Sequence, residues 1–317
     1  MNLIKYLVIC IKAKKIIKII LFSLIFKNCY IIKNMKTWSK TMFKFILLIL
    51  LPMYVLSDNK PIVFAPLMTE NVENIYTHFF PTIKYLEKKL NRKIELDYNT
   101  NYEELIKKFI DGKIDIAYLG PLPFLELEKE YSDVIPLVNF KNKNGDISYN
   151  CSFVSFITND FPPEDMKNTK IALTQALSTC GYIFVNYVLK EANINIEDNK
   201  YRYLGRHDKV ALSVITDKYK YGGLKTDIAE KYYHLGLKEI KRSAPIPSFV
   251  LVANAQTLDE NTISDIKNIM LSIDDKELSL WDKSLKYGVK ETNIDDYKNL
   301  RESLKSIKIP SESNFDE

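Results

Sequence analysis

The chain has 317 residues, 46% hydrophobic and 27% charged, which excludes a disordered or wholly membrane-embedded polypeptide and leaves room for two domains of ordinary size. Its formal net charge of +5 misleads: the first 57 residues hold ten lysines and no acidic residue, leaving 35 basic against 40 acidic residues from Asp58 onward. An acidic body without a basic stripe excludes nucleic acid as the expected partner.

Residues 1–57 read as targeting material. From Met35, Lys36, Lys40 and Lys44 precede an apolar run from Phe45 to Leu51, and Val55, Leu56 and Ser57 suit signal-peptidase cleavage before Asp58. A secretory signal over 35–57 with its own methionine predicts that translation begins at Met35, with 1–34 a misassigned start. The competing readings are an uncleaved anchor and a second membrane-associated segment at 16–26. Export predicts a periplasmic location and changes how the four cysteines read. Cys10 and Cys29 fall in the leader, while Cys151 and Cys180 are left either free or paired in an oxidising compartment.

Past the leader, strand and helix alternate. "KPIVFAPL" (60–67) reads as a strand and "THFFPTIKYLEKKLNRK" (77–93) as a helix. "KIELDYN" (93–99) follows as a strand, "YEELIKKFIDG" (102–112) as an amphipathic helix and "KIDIAYLG" (113–120) as a buried strand, before Pro121 opens another helix. A polar, turn-rich break at "FKNKNGDISY" (140–149) separates this from a second alternation. There "CSFVSFIT", "KIALT" and "KYRYLG" read as strands, and residues 179–191 and "HDKVALSVIT" as helices. "KYGGLKTD" (220–227) reads as a turn and "IAEKYYHLG" as helical. "KEIKRSAPIPSFVLVAN" (238–254) carries the chain onward to helices within 258–288 and 294–307. The pattern predicts an α/β protein of two lobes: 58–148 as the first part of lobe 1, 149–246 as lobe 2, and 247–317 as the return to lobe 1 with C-terminal helices.

Three strand-to-helix corners could hold a ligand: "APLMTEN" (65–71), "YLGPLPF" (118–124) and "ALSTCGY" (176–182). Helix N-termini present unpaired N–H groups and partial positive charge, so they bind anions without a lysine, and the hydroxyls of Thr69, Ser178 and Thr179 could add donors. Each residue has a plainer reading. Ser178 and Thr179 could simply cap a helix, and Cys180 could be a low-pKa nucleophile or a small buried side chain. His207 could start a helix or reach a ligand, and Tyr102 and Tyr118 could pack in the core. With no paired acid and base and no metal-ligand spacing, no enzyme activity, cofactor or metal is expected.

Five segments together resemble the type II periplasmic solute-binding proteins of phosphate, phosphite and phosphonate ABC importers, the PhnD-like family, from about Pro61 to Tyr287. They are "NYEELIKKFIDGKIDIAYLGPLPFLEL", "LSTCGY", "GRHDKVALSVI", "YGGLKTDIAEKY" and "SAPIPSFVLVAN". The resemblance implies two α/β lobes joined by crossover strands, with the ligand in the cleft between them. It also implies that Ser178, Thr179 and Cys180 bind oxyanion oxygens, that Gly181 lets the backbone approach and that His207 donates from the facing helix. Tyr102 would close the pocket from the other lobe, with Tyr118 as an aromatic wall. The implied partners are a small oxyanion and an inner-membrane ABC permease; with no sign of oligomerisation in the sequence, a monomer is the default expectation.

Two departures stand out. Cysteine at 180 replaces the family's usual serine, exchanging a strong donor for a weak S–H or a repelling thiolate. Lys225, Ser248 and Phe249 stand near where members that bind an aminoalkyl phosphonate place carboxylates. The expectation is a phosphate, phosphite or simple phosphonate rather than 2-aminoethylphosphonate. The alternative roles are a sensor of an oxyanion such as arsenite, working with a membrane histidine kinase, and a Cys180-dependent enzyme.

Overall fold

The computed structural model describes residues 60–66, 72–99, 101–159, 166–305 and 307–316, the side chains of 72–75 excepted. The expected leader with its signal peptide, and Thr69, lie outside the described residues.

Lobe 1 begins with β1 (Ile62–Pro66), α1 (Val72–Leu90), β2 (Ile94–Leu96), α2 (Tyr102–Ile110), β3 (Ile116–Leu119), α3 (Pro121–Glu130) and β4 (Val134–Phe140). Its grammar is local. Asn101 caps α2 by accepting the Glu104 N–H at 2.8 Å, and Tyr102, Leu105, Ile106 and Phe109 recur at the spacing that puts them on one buried face. All four residues of β3 are buried, as a central strand covered on both faces requires.

The chain crosses to lobe 2 through β5 (Ser148–Tyr149). It then builds β6 (Cys151–Phe156), β7 (Lys170–Leu173), a π-helical turn (Thr179–Ile183) leading into α4 (Phe184–Glu191), β8 (Lys200–Tyr203), α5 (His207–Ile215), β9 (Tyr221–Lys225), α6 (Thr226–Ala229) and β10 (Leu237–Arg242). It returns through β11 (Ile246–Pro247), and lobe 1 is completed by β12 (Val250–Asn254), α7 (Glu260–Leu271), α8 (Asp275–Leu278), β13 (Val289–Glu291) and α9 (Lys298–Leu304).

The result is two mixed sheets, ordered β13-β4-β12-β3-β1-β2 and β10-β6-β9-β7-β8, each with its own hydrophobic core. The two crossings pair with each other as an antiparallel ribbon, Ile246 opposite Tyr149 and Pro247 opposite Ser148. This is the two-lobed architecture of type II periplasmic binding proteins, as the alternation and the resemblance predict.

Two expectations need correction. "KYGGLKTD" is no turn: Tyr221–Lys225 is strand β9, inside the lobe 2 sheet between β6 and β7. The C-terminal segment 307–316 does not stay with lobe 1. It lies along β8, where Ser313 Oγ and Asn314 Oδ1 accept the backbone N–H groups of Tyr203 and Tyr201 at 3.0 and 2.8 Å. The hydroxyls of Tyr203 and Tyr182 donate to the carbonyls of Pro310 and Lys308. An edge strand leaves backbone donors unpaired, and a short polar tail satisfies them without any periodic signal in its sequence.

Candidate functional site

The "ALSTCGY" stretch leaves β7 and turns into a helix. Ser178, extended at φ −89° and ψ 123°, caps that helix, its Oγ accepting the Gly181 N–H at 3.1 Å. The first turn is π-helical, the Phe184 N–H bonding to the Thr179 carbonyl, a local widening that is frequent at functional sites. At Gly181 an added Cβ would lie 2.3 Å from Thr174 Oγ1, so glycine is what lets this turn close onto the end of β7.

The Gly222–Gly223 pair explains why the supposed turn is a strand. Neighbouring strand residues face opposite sides of a sheet. A Cβ at 222 would sit 2.6 Å from Val210 of α5, and one at 223 would sit 2.3 Å from Val185 of α4 and 2.5 Å from the Cys180 carbonyl. Two bare positions therefore let two helices press on opposite faces of one strand. Their N-termini, carrying Thr179 and His207, arrive at the strand end where Lys225 emerges.

Cys180 is disulfide-bonded to Cys151, with their Cα atoms 5.0 Å apart. Neither thiol nor thiolate stands in the loop, and the bond pins the π-turn to β6, whose Cys151 lies opposite Lys225 of β9. A free thiol as donor, nucleophile or arsenite ligand does not fit this pairing. What Cys180 can offer an anion is its backbone.

His207, first residue of α5, accepts the Lys225 backbone N–H on Nδ1 at 3.2 Å. Burial, then the nearby Lys225 charge, pushes its pKa down to about 4. The ring is therefore neutral near pH 7 with its proton on Nε2, a donor that can serve an anion. Thr179 Oγ1 accepts the Leu122 N–H across the lobes at 3.3 Å. A hydroxyl has one donor and two acceptor positions, so Ser178, as a cap, retains its proton for a ligand.

These groups line one small interlobe cavity. Leu177, Ser178, Thr179, Cys180, His207 and Lys225 form the lobe 2 wall, while Tyr102, Gly120, Pro123, Tyr149 and Phe249 come from lobe 1 and the ribbon. Burial raises the phenol pKa values of Tyr102 and Tyr149, keeping both as neutral donors. The cavity volume of about 20 Å³ has room for about one water molecule, so admitting a tetrahedral oxyanion requires the walls to part. Among the described residues, no carboxylate lines the cavity. A larger groove of about 990 Å³ runs between α4 and the C-terminal segment, but the residues the sequence singles out converge only in the interlobe cavity.

Of the expected site residues, Ser178, Thr179, Cys180, His207 and Tyr102 meet at this cavity. Gly181 acts one step back, through the turn it permits. Tyr118 also stands back, stacked on Phe249 at 5.0 Å between ring centroids and 12° between planes, with Phe79 and Phe140 against its edges. Tyr149 was hidden in the polar break, and Lys225 and Phe249 are notable in the sequence only for standing where acids might. The structure makes all three lining residues, with the Lys225 ammonium 5.4 Å from the centres of both the Tyr149 and Phe249 rings.

Comparison with known proteins identifies the family. Residues 64–297 match the family model described as ABC transporter, phosphonate, periplasmic substrate-binding protein. The phosphate-import protein PhnD of Mycolicibacterium smegmatis is 24% identical over 165 residues, 48% of this chain and 51% of that one. The chain thus aligns with about half the length of this curated relative. PhnD1 of Prochlorococcus marinus, solved in complex with methylphosphonate, superposes with a TM-score of 0.69 at 18% identity, covering 78% of this chain and 97% of its own. A binding protein component of an ABC phosphonate transporter from Pseudomonas aeruginosa gives 0.67 at 19%, covering 77% and 85%. The matched family consists of periplasmic transport binding proteins rather than enzymes. The chain belongs to the family of periplasmic substrate-binding proteins of phosphonate ABC transporters.

Proposed function

We propose that the protein captures a small tetrahedral oxyanion, namely phosphate, phosphite or a simple phosphonate, between its lobes and delivers it to an ABC permease. The observation that carries this reading is the convergence of the π-turn N-terminus, the Ser178 and Thr179 hydroxyls, the neutral His207 and the Lys225 ammonium on one cavity, with no carboxylate among its described lining residues. Oxyanion oxygens need several donors at once, and charge-assisted hydrogen bonds are the strong ones. The printed ligands of the relatives, phosphate in one and methylphosphonate in another, belong to the same chemical class. The β5–β11 ribbon would serve as the hinge, and the Leu122–Thr179 bond would fasten the lobes when they meet.

The test is thermal unfolding of the purified protein with phosphate, phosphite, methylphosphonate, 2-aminoethylphosphonate, sulfate and arsenite. A ligand at about 100 times its Kd stabilises by about 2.7 kcal/mol, readily seen as a rise in Tm. A rise with a phosphorus oxyanion supports the proposal. A rise with arsenite alone, or with none of the six, overturns it.

A further inference from the structure

The geometry points to Lys225 as the charge-selecting residue of the cleft: it supplies the counter-charge to the bound oxyanion and turns away ligands that carry an ammonium group. This rests on the oxyanion-binding reading above and adds which charge the cleft accepts and which side chain decides it.

Lys225 ends β9 and, among the described residues, is the only formally charged side chain lining the cavity. Its Nζ lies equally close to the faces of Tyr149 and Phe249, whose negative π-faces favour a cation held between them. Its carboxylate partner is Asp227, at 3.1 Å, which is not a lining residue and has a side chain 60% exposed. So exposed a pair is weak, and Lys225 can exchange Asp227 for a ligand oxygen at little cost. The other cavity groups are hydroxyls, the histidine ring, backbone and apolar surface, which suit a small anion and leave an ammonium without a counter-ion. A zwitterionic aminoalkyl phosphonate would bring a second cation beside Lys225, into a space where an unpaired buried charge is costly.

The experiment is calorimetric titration of the wild type, Lys225→Met and Lys225→Arg with phosphate, methylphosphonate and 2-aminoethylphosphonate, with ligand-free melting recorded for each protein. The wild type should bind phosphate or methylphosphonate about 30-fold or more tightly than 2-aminoethylphosphonate, and Lys225→Met should lose about 30-fold in oxyanion affinity. Lys225→Arg, which keeps the charge, should recover most of that loss. Oxyanion binding by Lys225→Met at wild-type strength overturns the role of Lys225 while leaving the proposed function intact. Equal wild-type affinity for methylphosphonate and 2-aminoethylphosphonate overturns the selection, and this comparison needs no variant should Lys225→Met fail to fold. Wild-type protein that binds none of the three, nor phosphite titrated beside them, overturns the oxyanion reading and this inference with it.

Discussion

The two walls of the cleft are built on different principles. On the lobe 2 wall, polar groups are held by structural duties. Ser178 caps a helix, Thr179 bridges to Leu122, His207 is oriented by the Lys225 N–H, and Cys180 is tied to Cys151. The lobe 1 and ribbon wall consists largely of rings resting on rings, with Phe249 stacked on Tyr118 and tilted against Tyr149. The difference teaches that, under the proposed function, recognition would be concentrated on the side whose geometry is fixed before a ligand arrives, which reduces what binding must spend on ordering. The aromatic side supplies a shaped surface opposite it.

The contrast is broken most forcefully at the disulfide. Its cysteines are 29 residues apart, and for a loop of that length the chain-entropy model gives about 3.6 kcal/mol. Replacing both Cys151 and Cys180 with alanine should lower unfolding stability by about that amount in denaturant titration and weaken oxyanion binding as well. Reduction of the wild type should have the same effect, and unchanged stability in both experiments would show that lobe 2 does not depend on this tie.

A slightly smaller effect is expected from pH. Because the folded pKa of His207, about 4, lies below the free value of 6.5, the unfolded chain binds more protons between those values. Stability is therefore fully present above about pH 6.5 and is lost as pH falls toward 4, by an amount on the order of 3 kcal/mol. Denaturant titrations at pH 7 and 4.5 should show a larger loss for the wild type than for His207→Gln. Equal losses would mean that His207 is not held neutral by its surroundings.

The smallest effect sharpens the comparison between the walls. Ser178→Ala removes a helix cap and should cost about 1 kcal/mol of stability, along with a drop in oxyanion affinity. Tyr102→Phe, on the opposite wall, removes a hydroxyl without touching a cap and should leave stability nearly unchanged. If the two substitutions cost the same in denaturant titration, the proposed division of labour fails.

Much of this molecule was legible in its sequence. Hydrophobic periodicity marked α2, β3 and the helix that begins at Thr179, because a helix face or a buried strand is written by residues a few positions apart. The capping pattern around Ser178 and the first-turn position of His207 were legible for the same reason, and the resemblance assigned them to one ligand. Only the tertiary structure decided the rest. A glycine pair reads locally as a turn, and its meaning as a strand pressed by helices on both faces exists only once α4 and α5 are docked. The pairing of Cys151 with Cys180 depends on β6 and β9 lying side by side. Lys225, Tyr149 and Phe249 share a wall because β9 and the interlobe ribbon bring distant segments together, and no spacing in a linear chain records such a meeting.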